Sequence, residues 1–287
     1  MIHNHFAVFI LSWNRASSII TYNALKKSGY SGKTYIIVSS DDPQIEIYKK
    51  KYKKELIVFN RDDVECDPMD NSHEKRGVIY ARNACFGIAK NLGLTYFAEF
   101  DDDYDRFEYR FVKLGKKRPK LGTSRVKNLD KIFDAMLDYL DDSGAKTVAM
   151  AQGGDFIGGV YGRSSMKILR KAMNGFFCRT DRPFEFFGRM NEDAVTYALS
   201  GSRGDLFLTE TSVMLHQKET QSRSGGMTEL YKDNGTYVKS FYSVMANPSS
   251  VTIKDMGNTD RRIHHSIDGR YTYPKILNER LCKWRKR

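Results

Sequence analysis

Proline is scarce in this chain, 6 among 287 residues, and no proline-rich or serine-rich stretch interrupts it. Without a linker of that kind, the expected organisation is one large α/β domain with a tail. The four cysteines, Cys66, Cys85, Cys178 and Cys282, are widely scattered, and none stands in a Cys-x-x-Cys pair. Neither zinc-finger spacing nor a disulfide framework is therefore indicated, and a reduced, cytoplasmic setting fits. The longest apolar runs fall far short of the ~20 residues that a membrane helix needs. The opening stretch MIHNHFAVFILSWNRAS has neither a lysine-rich start nor a small-residue cleavage site, so it reads as a first strand. A hydrophobic fraction of 40% is enough to fill a sizeable core, which excludes a disordered chain.

Acid is also in short supply, with 35 Asp and Glu against 47 Lys and Arg and a net charge of +12. The imbalance is local. From Arg110 to Lys127 there are eight basic residues and no acidic one: Arg110, Lys113, Lys116, Lys117, Arg118, Lys120, Arg125 and Lys127. The last 34 residues hold ten basic against four acidic side chains and end in Lys-Trp-Arg-Lys-Arg, around Trp284 and Arg285. Such patches suit a polyanion such as DNA, RNA, a membrane surface or an acidic polymer.

Against that background, Asp101-Asp102-Asp103 concentrates negative charge directly after the apolar run TYFAEF. The chain before it alternates. Strands are expected at 6–12, 34–40, 55–60 and 95–100, and helices at about 16–28, 44–52 and 78–93, with a polar loop at 61–76. This βαβαβαβ order predicts a mostly parallel sheet with helices on both faces. Ligands of such sheets bind beyond the carboxyl ends of the strands, where Ser12-Trp13-Asn14-Arg15, Asp41-Asp42 and the aspartate triplet all fall. The second half is less regular. Helices are expected at about 126–142 and 164–173 and over NEDAVTYALSGSRG, and strands at 147–152 and 175–180. DLFLTE and SVMLHQ read as a strand pair, and beyond about residue 219 the chain is polar and turn-rich.

Three adjacent carboxylates repel one another unless a cation sits between them, and a magnesium or manganese ion bridging to phosphate oxygens meets that need. Side chains on a strand end repeat every two residues, so Asp101 with Asp103, or Asp103 with Asp105, can point the same way. The spacing does not choose between them.

The ordered set resembles the GT-A nucleotide-sugar glycosyltransferases across about residues 6–218. It comprises Ser12-Trp13-Asn14-Arg15, Asp41-Asp42, Ala81-Arg82-Asn83, Asp101-Asp102-Asp103, Asn191-Glu192-Asp193 and His216. The resemblance implies a core over 1–218, with a donor-binding half to about 105 and an acceptor half from 106, and a basic extension over 219–287 near the active site. It implies that Ser12, Asn14, Arg15, Asp41, Asp42, Arg82, Asn83, Asp101 and Asp102 bind the nucleotide-sugar. Asp101 and Asp103 would hold the metal with His216 as a distal ligand. Asp193, or else Glu192, would be the base that deprotonates the acceptor hydroxyl, with inversion at the sugar. The sequence departs from the family in having Ser39-Ser40-Asp41-Asp42-Pro43 where Asp-Asp-Gly-Ser is common, and it lacks the Gln-x-x-Arg-Trp motif of processive synthases.

The same segments resemble the phage TET/JBP-associated glycosyltransferases, which implies transfer of a sugar, glucose from UDP-glucose, to a hydroxymethylated pyrimidine in double-stranded DNA. Base flipping would bring the acceptor to the donor. Lys116, Lys117, Arg118, Lys120, Arg125, Lys127, Trp284 and Arg285 would then face the DNA. Gly153 to Gly159 would approach sugar or acceptor, and Arg223-Ser224-Gly225-Gly226 would form a loop over the donor. The alternatives are a GT-A transferase acting on a polysaccharide, glycolipid or protein, and a nucleotidyltransferase. The latter is disfavoured by the absence of a glycine-rich, lysine-bearing loop after the first strand.

Overall fold

Every residue of Phe6–Leu11, strand β1, is buried, as expected of a strand covered on both faces. The structure, a computed structural model, describes residues 5–64, 77–115, 118–161, 169–217, 228–256 and 262–273. Around β1 lie β2 (Lys33–Ser39), β3 (Leu56–Phe59) and β4 (Tyr96–Asp101), all parallel to it. Beyond β4 come β5 (Tyr104–Lys113), β6 (Lys120–Arg125), β7 (Thr147–Ala151), β8 (Phe176–Arg179) and β9 (Phe207–Gln217). Among the described residues these nine strands form one sheet in the order β3-β2-β1-β4-β8-β7-β9-β5-β6. Only β8 and β5 run against the common direction, so the sheet is mostly parallel as expected.

Alternate residues of β1 face two cores. Phe6, Val8 and Ile10 pack with α1 (Ile20–Lys27), α2 (Ile45–Tyr52) and α4 (Leu129–Ser143). Ala7, Phe9 and Leu11 pack with α3 (Ile79–Asn91) and α5 (Glu192–Ser202). Phe133 of α4 is the hub of the first core, its ring centroid 5.1 Å from those of Tyr30 and Phe177 and 5.8 Å from those of Phe6 and Phe100. Asn128 caps α4 by accepting from Lys131 N, and Gly144 ends it at φ 67°.

Four differences from the sequence reading have physical reasons. Helix α1 starts at Ile20, not near 16, because Ile20 N and Thr21 N donate to Asp102 O across the rim. DLFLTE and SVMLHQ are one continuous strand, β9, whose register shift lets it pair first with β7 and then with β5. Of the segment 164–173, the described residues 169–173 are not helical, and Leu169 bridges to Thr209. The region after 219 is more regular than its composition indicated: α6 (Thr228–Ala246) packs on α5, and β10 (Val251–Met256) pairs with β11 (Arg262–Ile267), followed by α7 (Gly269–Thr272). Among the described residues no helix is long and apolar enough to cross a membrane.

Phe133→Ala should cost about 3–5 kcal/mol by emptying the aromatic hub. Urea unfolding measures it, and a loss no larger than that of an exposed-site substitution would remove Phe133 from its central place.

Candidate active site

The carboxyl ends of β1, β2 and β4 meet where the sequence placed the rim, but the structure sorts the acidic residues by role. Asp42 is 2% exposed, and its oxygens accept from Asn14 N at 2.8 Å and Gln44 N at 2.7 Å. It thereby holds the turn in which Asn14 adopts φ 54°. Asp102 is 3% exposed and accepts from Ser12 Oγ at 2.6 Å and Arg15 Nη1 at 2.7 Å. Tyr48 Oη lies 2.7 Å from Ser12 Oγ and accepts from Arg15 N. Burial raises the pKa of both aspartates, and Asp102 is opposed by the Arg15 charge and Asp42 by backbone N–H donors. Asp42, Asp102 and Ser12, expected at the nucleotide-sugar, use these buried polar atoms to build the loop. Asp41 remains largely exposed, bonded to Ser39 and 3.4 Å from Arg61 Nε. The Arg61 guanidinium stacks 3.9 Å from the Trp13 ring centroid. Arg61 went unrecognised inside an expected polar loop, because these partners come from the turns that follow β1 and β2.

The aspartate turn is pinned from α1. Thr21 Oγ1 donates to Asp101 O at 2.5 Å and accepts from Tyr104 N at 2.9 Å. Asp103 accepts from Gln217 Nε2 at 3.1 and 3.3 Å, and Arg15 Nη1 stands 4.0 Å away. Burial, reinforced by the charges of Asp101 and Asp102, pushes the Asp103 carboxyl up to about 7. A divalent cation fits there, since it would relieve the crowding that raises this affinity for a proton. His216, the third expected ligand, has its Nδ1 2.7 Å from Asp105 Oδ1, and Asp105 occupies the irregularity in the β5–β9 register. Among the described residues no group of three His, Cys, Asp or Glu side chains is arranged to hold a metal ion. Asp101 and Asp103 would therefore need phosphate and water oxygens to complete a coordination shell. Gln217, which the sequence reading passed over, adjoins His216 in β9.

Beneath the turn lies Arg82, 1% exposed on α3. Its Nη2 donates to Asp101 at 3.0 Å and its Nε to Glu192 at 3.1 Å, while Nη1 stands 3.7 Å from Glu99. The guanidinium lies 4.9 Å from the Phe176 ring centroid. Burial pushes Glu99 up to about 8 against the pull of Arg82, so near neutrality Arg82 is balanced chiefly by Asp101 and Glu192. Arg82, expected at the nucleotide-sugar or as an ion-pair partner of the aspartate rim, forms an internal bridge from Asp101 to Glu192. Asn83 is likewise a strut: its amide donates to Phe186 O and accepts from Phe186 N, at 3.2 and 2.8 Å.

Glu192 and Asp193 open α5 in different environments. Glu192 is buried against Arg82, whereas Asp193 is half-buried and its carboxylate accepts from Ala194 N at 2.6 Å. Burial and then the Glu192 charge push Asp193 up to about 7, against the lowering effect of Lys239. Asn191 precedes them in the left-handed region at φ 55°, and its Nδ2 lies within 3.2 Å of Lys239 O, Ser243 Oγ and His265 Nδ1. The C-terminal elements thus seat the start of α5. Val238, Tyr242 and Ala246, spaced by four and packed around Met190 and Val195, were the signal for α6.

Arg118, Lys120, Arg125 and Lys127 are exposed, on or beside β6 at the sheet edge. Lys120 pairs with Lys113, ten residues along β5 from Asp103 or roughly 30 Å of strand, and β6 then runs back so that Arg125 stands opposite Glu108, five residues from Asp103. Lys116, Lys117, Trp284, Arg285 and the 223–226 loop lie outside the described residues.

A family profile for TET-associated glycosyltransferases matches residues 6–226. No curated protein matches. Among solved structures, residues 1–349 of S. aureus TarS in complex with UDP-GlcNAc are 14% identical, with 84% of this chain and 67% of that one covered, at TM-score 0.41. Of the longer TarS structure this chain covers 40%. The mannosyltransferase PcManGT from Pyrobaculum calidifontis, in complex with GDP-Man and Mn2+, is 12% identical over 85% of this chain and 64% of that one, at TM-score 0.48. Glucosyl-3-phosphoglycerate synthase from Mycobacterium tuberculosis, in complex with Mg2+ and UDP, is 12% identical over 91% and 87%, at TM-score 0.45. Likenesses this distant carry no residue roles across.

Arg82→Met would leave Asp101 and Glu192 without their shared cation and should cost about 3–5 kcal/mol. Denaturant unfolding at neutral pH reads it, and a cost below about 1 kcal/mol would rank the bridge with ordinary surface pairs.

Proposed function

This chain belongs to the TET-associated glycosyltransferase family, and on that premise we propose that it moves a sugar from a nucleotide-sugar, UDP-glucose as first choice, to the hydroxymethyl group of a modified pyrimidine in DNA. A phage-infected cell's cytoplasm is the setting we infer. The observation that carries the reading is the half-buried Asp193 carboxyl, pushed up to about 7, on the α5 turn that Arg82 ties through Glu192 to Asp101.

In this reading the nucleotide lies over Asn14, Arg15, Asp41 and the Trp13–Arg61 pair, with the diphosphate towards Asp101 and Asp103. A bound Mg2+ or Mn2+ on Asp103 and Asp101 would supply charge neutralisation for the departing diphosphate. Asp193 accepts the acceptor hydroxyl's proton as that oxygen bonds to the sugar's anomeric carbon. The carbon–oxygen bond to the diphosphate breaks, and its electrons leave on the nucleoside diphosphate. Attack from the face opposite the leaving group inverts the anomeric centre. Arg82 and Glu192 position Asp101 and the start of α5.

The direct test incubates the protein with manganese, labelled UDP-glucose and duplexes carrying 5-hydroxymethylcytosine, 5-hydroxymethyluracil or ordinary bases only. Label on a hydroxymethylated duplex alone is the expected result. Donor hydrolysis without transfer to any DNA would move the acceptor to a glycan, lipid or protein.

Asp193→Asn should retain donor binding and lose at least about 100-fold in transfer, the scale of a missing general base. In the wild type, kcat/KM should rise with pH and level off above about 7, because below that value Asp193 already holds the proton it must accept. A profile unchanged by the Asn substitution would assign the base elsewhere. Asp103→Ala should abolish stimulation by Mn2+, and full stimulation in that variant would displace the metal from Asp103. Alanine at both Lys120 and Arg125 should lower the salt slope of duplex binding by about 2, whereas an unchanged slope would place the phosphates off this edge.

A further inference from the structure

The loop that follows β7 is firmly anchored yet presents apolar side chains to solvent. Asp155 is buried, accepts from Gln152 N at 2.9 Å and pairs with Lys171 Nζ at 2.5 Å. Phe156 is buried with Ala151, Met214 and Leu121, and the Arg110 guanidinium lies 4.3 Å from its ring centroid. Directly after these anchors Ile157 is 73% exposed, and Tyr161 is 76% exposed. Between them Gly158 and Gly159 have φ 90° and 62°, a reversal that glycine alone makes readily. At Gly153 and Gly154 a Cβ would meet nothing within 4 Å, so open space lies beside the root of the loop.

The two ends of this loop join the two surfaces that the proposed reaction needs. At the root, Gln152 Nε2 lies 3.4 Å from Gln217 Oε1, and Gln217 Nε2 donates to Asp103. At the far end, the turn Gly159–Tyr161 packs against β6, the edge strand whose Lys120 and Arg125 are exposed in a stretch without acid. A single exposed apolar residue on a protein surface needs no explanation. Two of them, held on a buried ion-paired anchor between an aspartate rim and a cationic edge, match the composition of a surface that meets stacked bases and phosphates together.

We propose that Ile157 and Tyr161 are the side chains that enter the duplex beside the target nucleotide and occupy the space left by the extruded pyrimidine, while the β6 edge holds the flanking phosphates. This rests on DNA being the acceptor. Apolar side chains inserted between base steps offset the cost of unstacking, which a base must meet before it reaches a rim such as that of Asp103 and Asp193. An uncharged glycan would have use for the tyrosine ring but none for the cationic edge.

The test uses the full chain and a duplex with 2-aminopurine next to 5-hydroxymethylcytosine, whose fluorescence rises on unstacking. Wild type should bind the duplex and brighten the probe. The double variant Ile157→Ser with Tyr161→Ser should keep its melting temperature and bind within about threefold of wild type, because phosphate contacts supply most of the affinity. It should lose the brightening and at least about tenfold in transfer to duplex, with transfer to the same single strand nearly unchanged, since no base there needs extrusion. Tyr161→Phe should behave as wild type. Brightening and duplex transfer at wild-type level in the double variant would overturn the wedge while leaving DNA as acceptor. Absence of both binding and transfer to any DNA by the wild type would overturn the wedge together with the DNA reading.

Discussion

A single buried cation organises this site. Arg82 sits inside α3 with almost no exposure and reaches Asp101 at the end of β4 and Glu192 at the start of α5. A guanidinium so placed has lost its water, and the carboxylates are what keep it charged there. The bridge therefore couples two segments that are far apart in sequence, the end of β4 and the start of α5. Phe176 and Phe186 flank the guanidinium, so the bridge cannot slide without disturbing the second core.

Around that bridge, burial divides carboxylates of one chemical kind into different roles. Asp42 and Asp102 are enclosed by donors and act as braces for the loop after β1. Glu99 is fully enclosed with the Arg82 guanidinium 3.7 Å away, and burial raises its affinity for a proton against that pull. Asp103 and Asp193 lie between these extremes. Both are partly shielded, both carry neighbouring negative charge, and both are pushed up to about 7. Carboxyls poised in that way are suited to receive a cation or a proton, the roles proposed for them in sugar transfer.

The scaffold also links the aspartate rim to the cationic edge. Strand β5 starts immediately after the aspartate turn, pairs with β9 beside it, and then carries β6 as the sheet's outer edge. The loop after β7 closes the circuit, bonded at its root to Gln217 and packed at its far end on β6. Charge that composition alone would assign to a solvated tail is in part fixed on a strand.

Much of this was legible in the chain itself. Continuous apolar runs and their spacing determined the parallel half of the sheet, its helices on both faces, and the gathering of Ser12–Arg15, Asp41–Asp42 and Asp101–Asp103 at one rim. These are local properties, in which each segment carries its own period and its own stop signal. The sequence did not show Arg61 on Trp13, Gln217 on Asp103, His216 on Asp105, or the continuity of β9, because each depends on a partner supplied by another element. Above all, it offered nine carboxylates and histidines as equals. Tertiary structure decided which would be buried braces and which would stay partly exposed, because desolvation and donor placement arise only when distant segments pack.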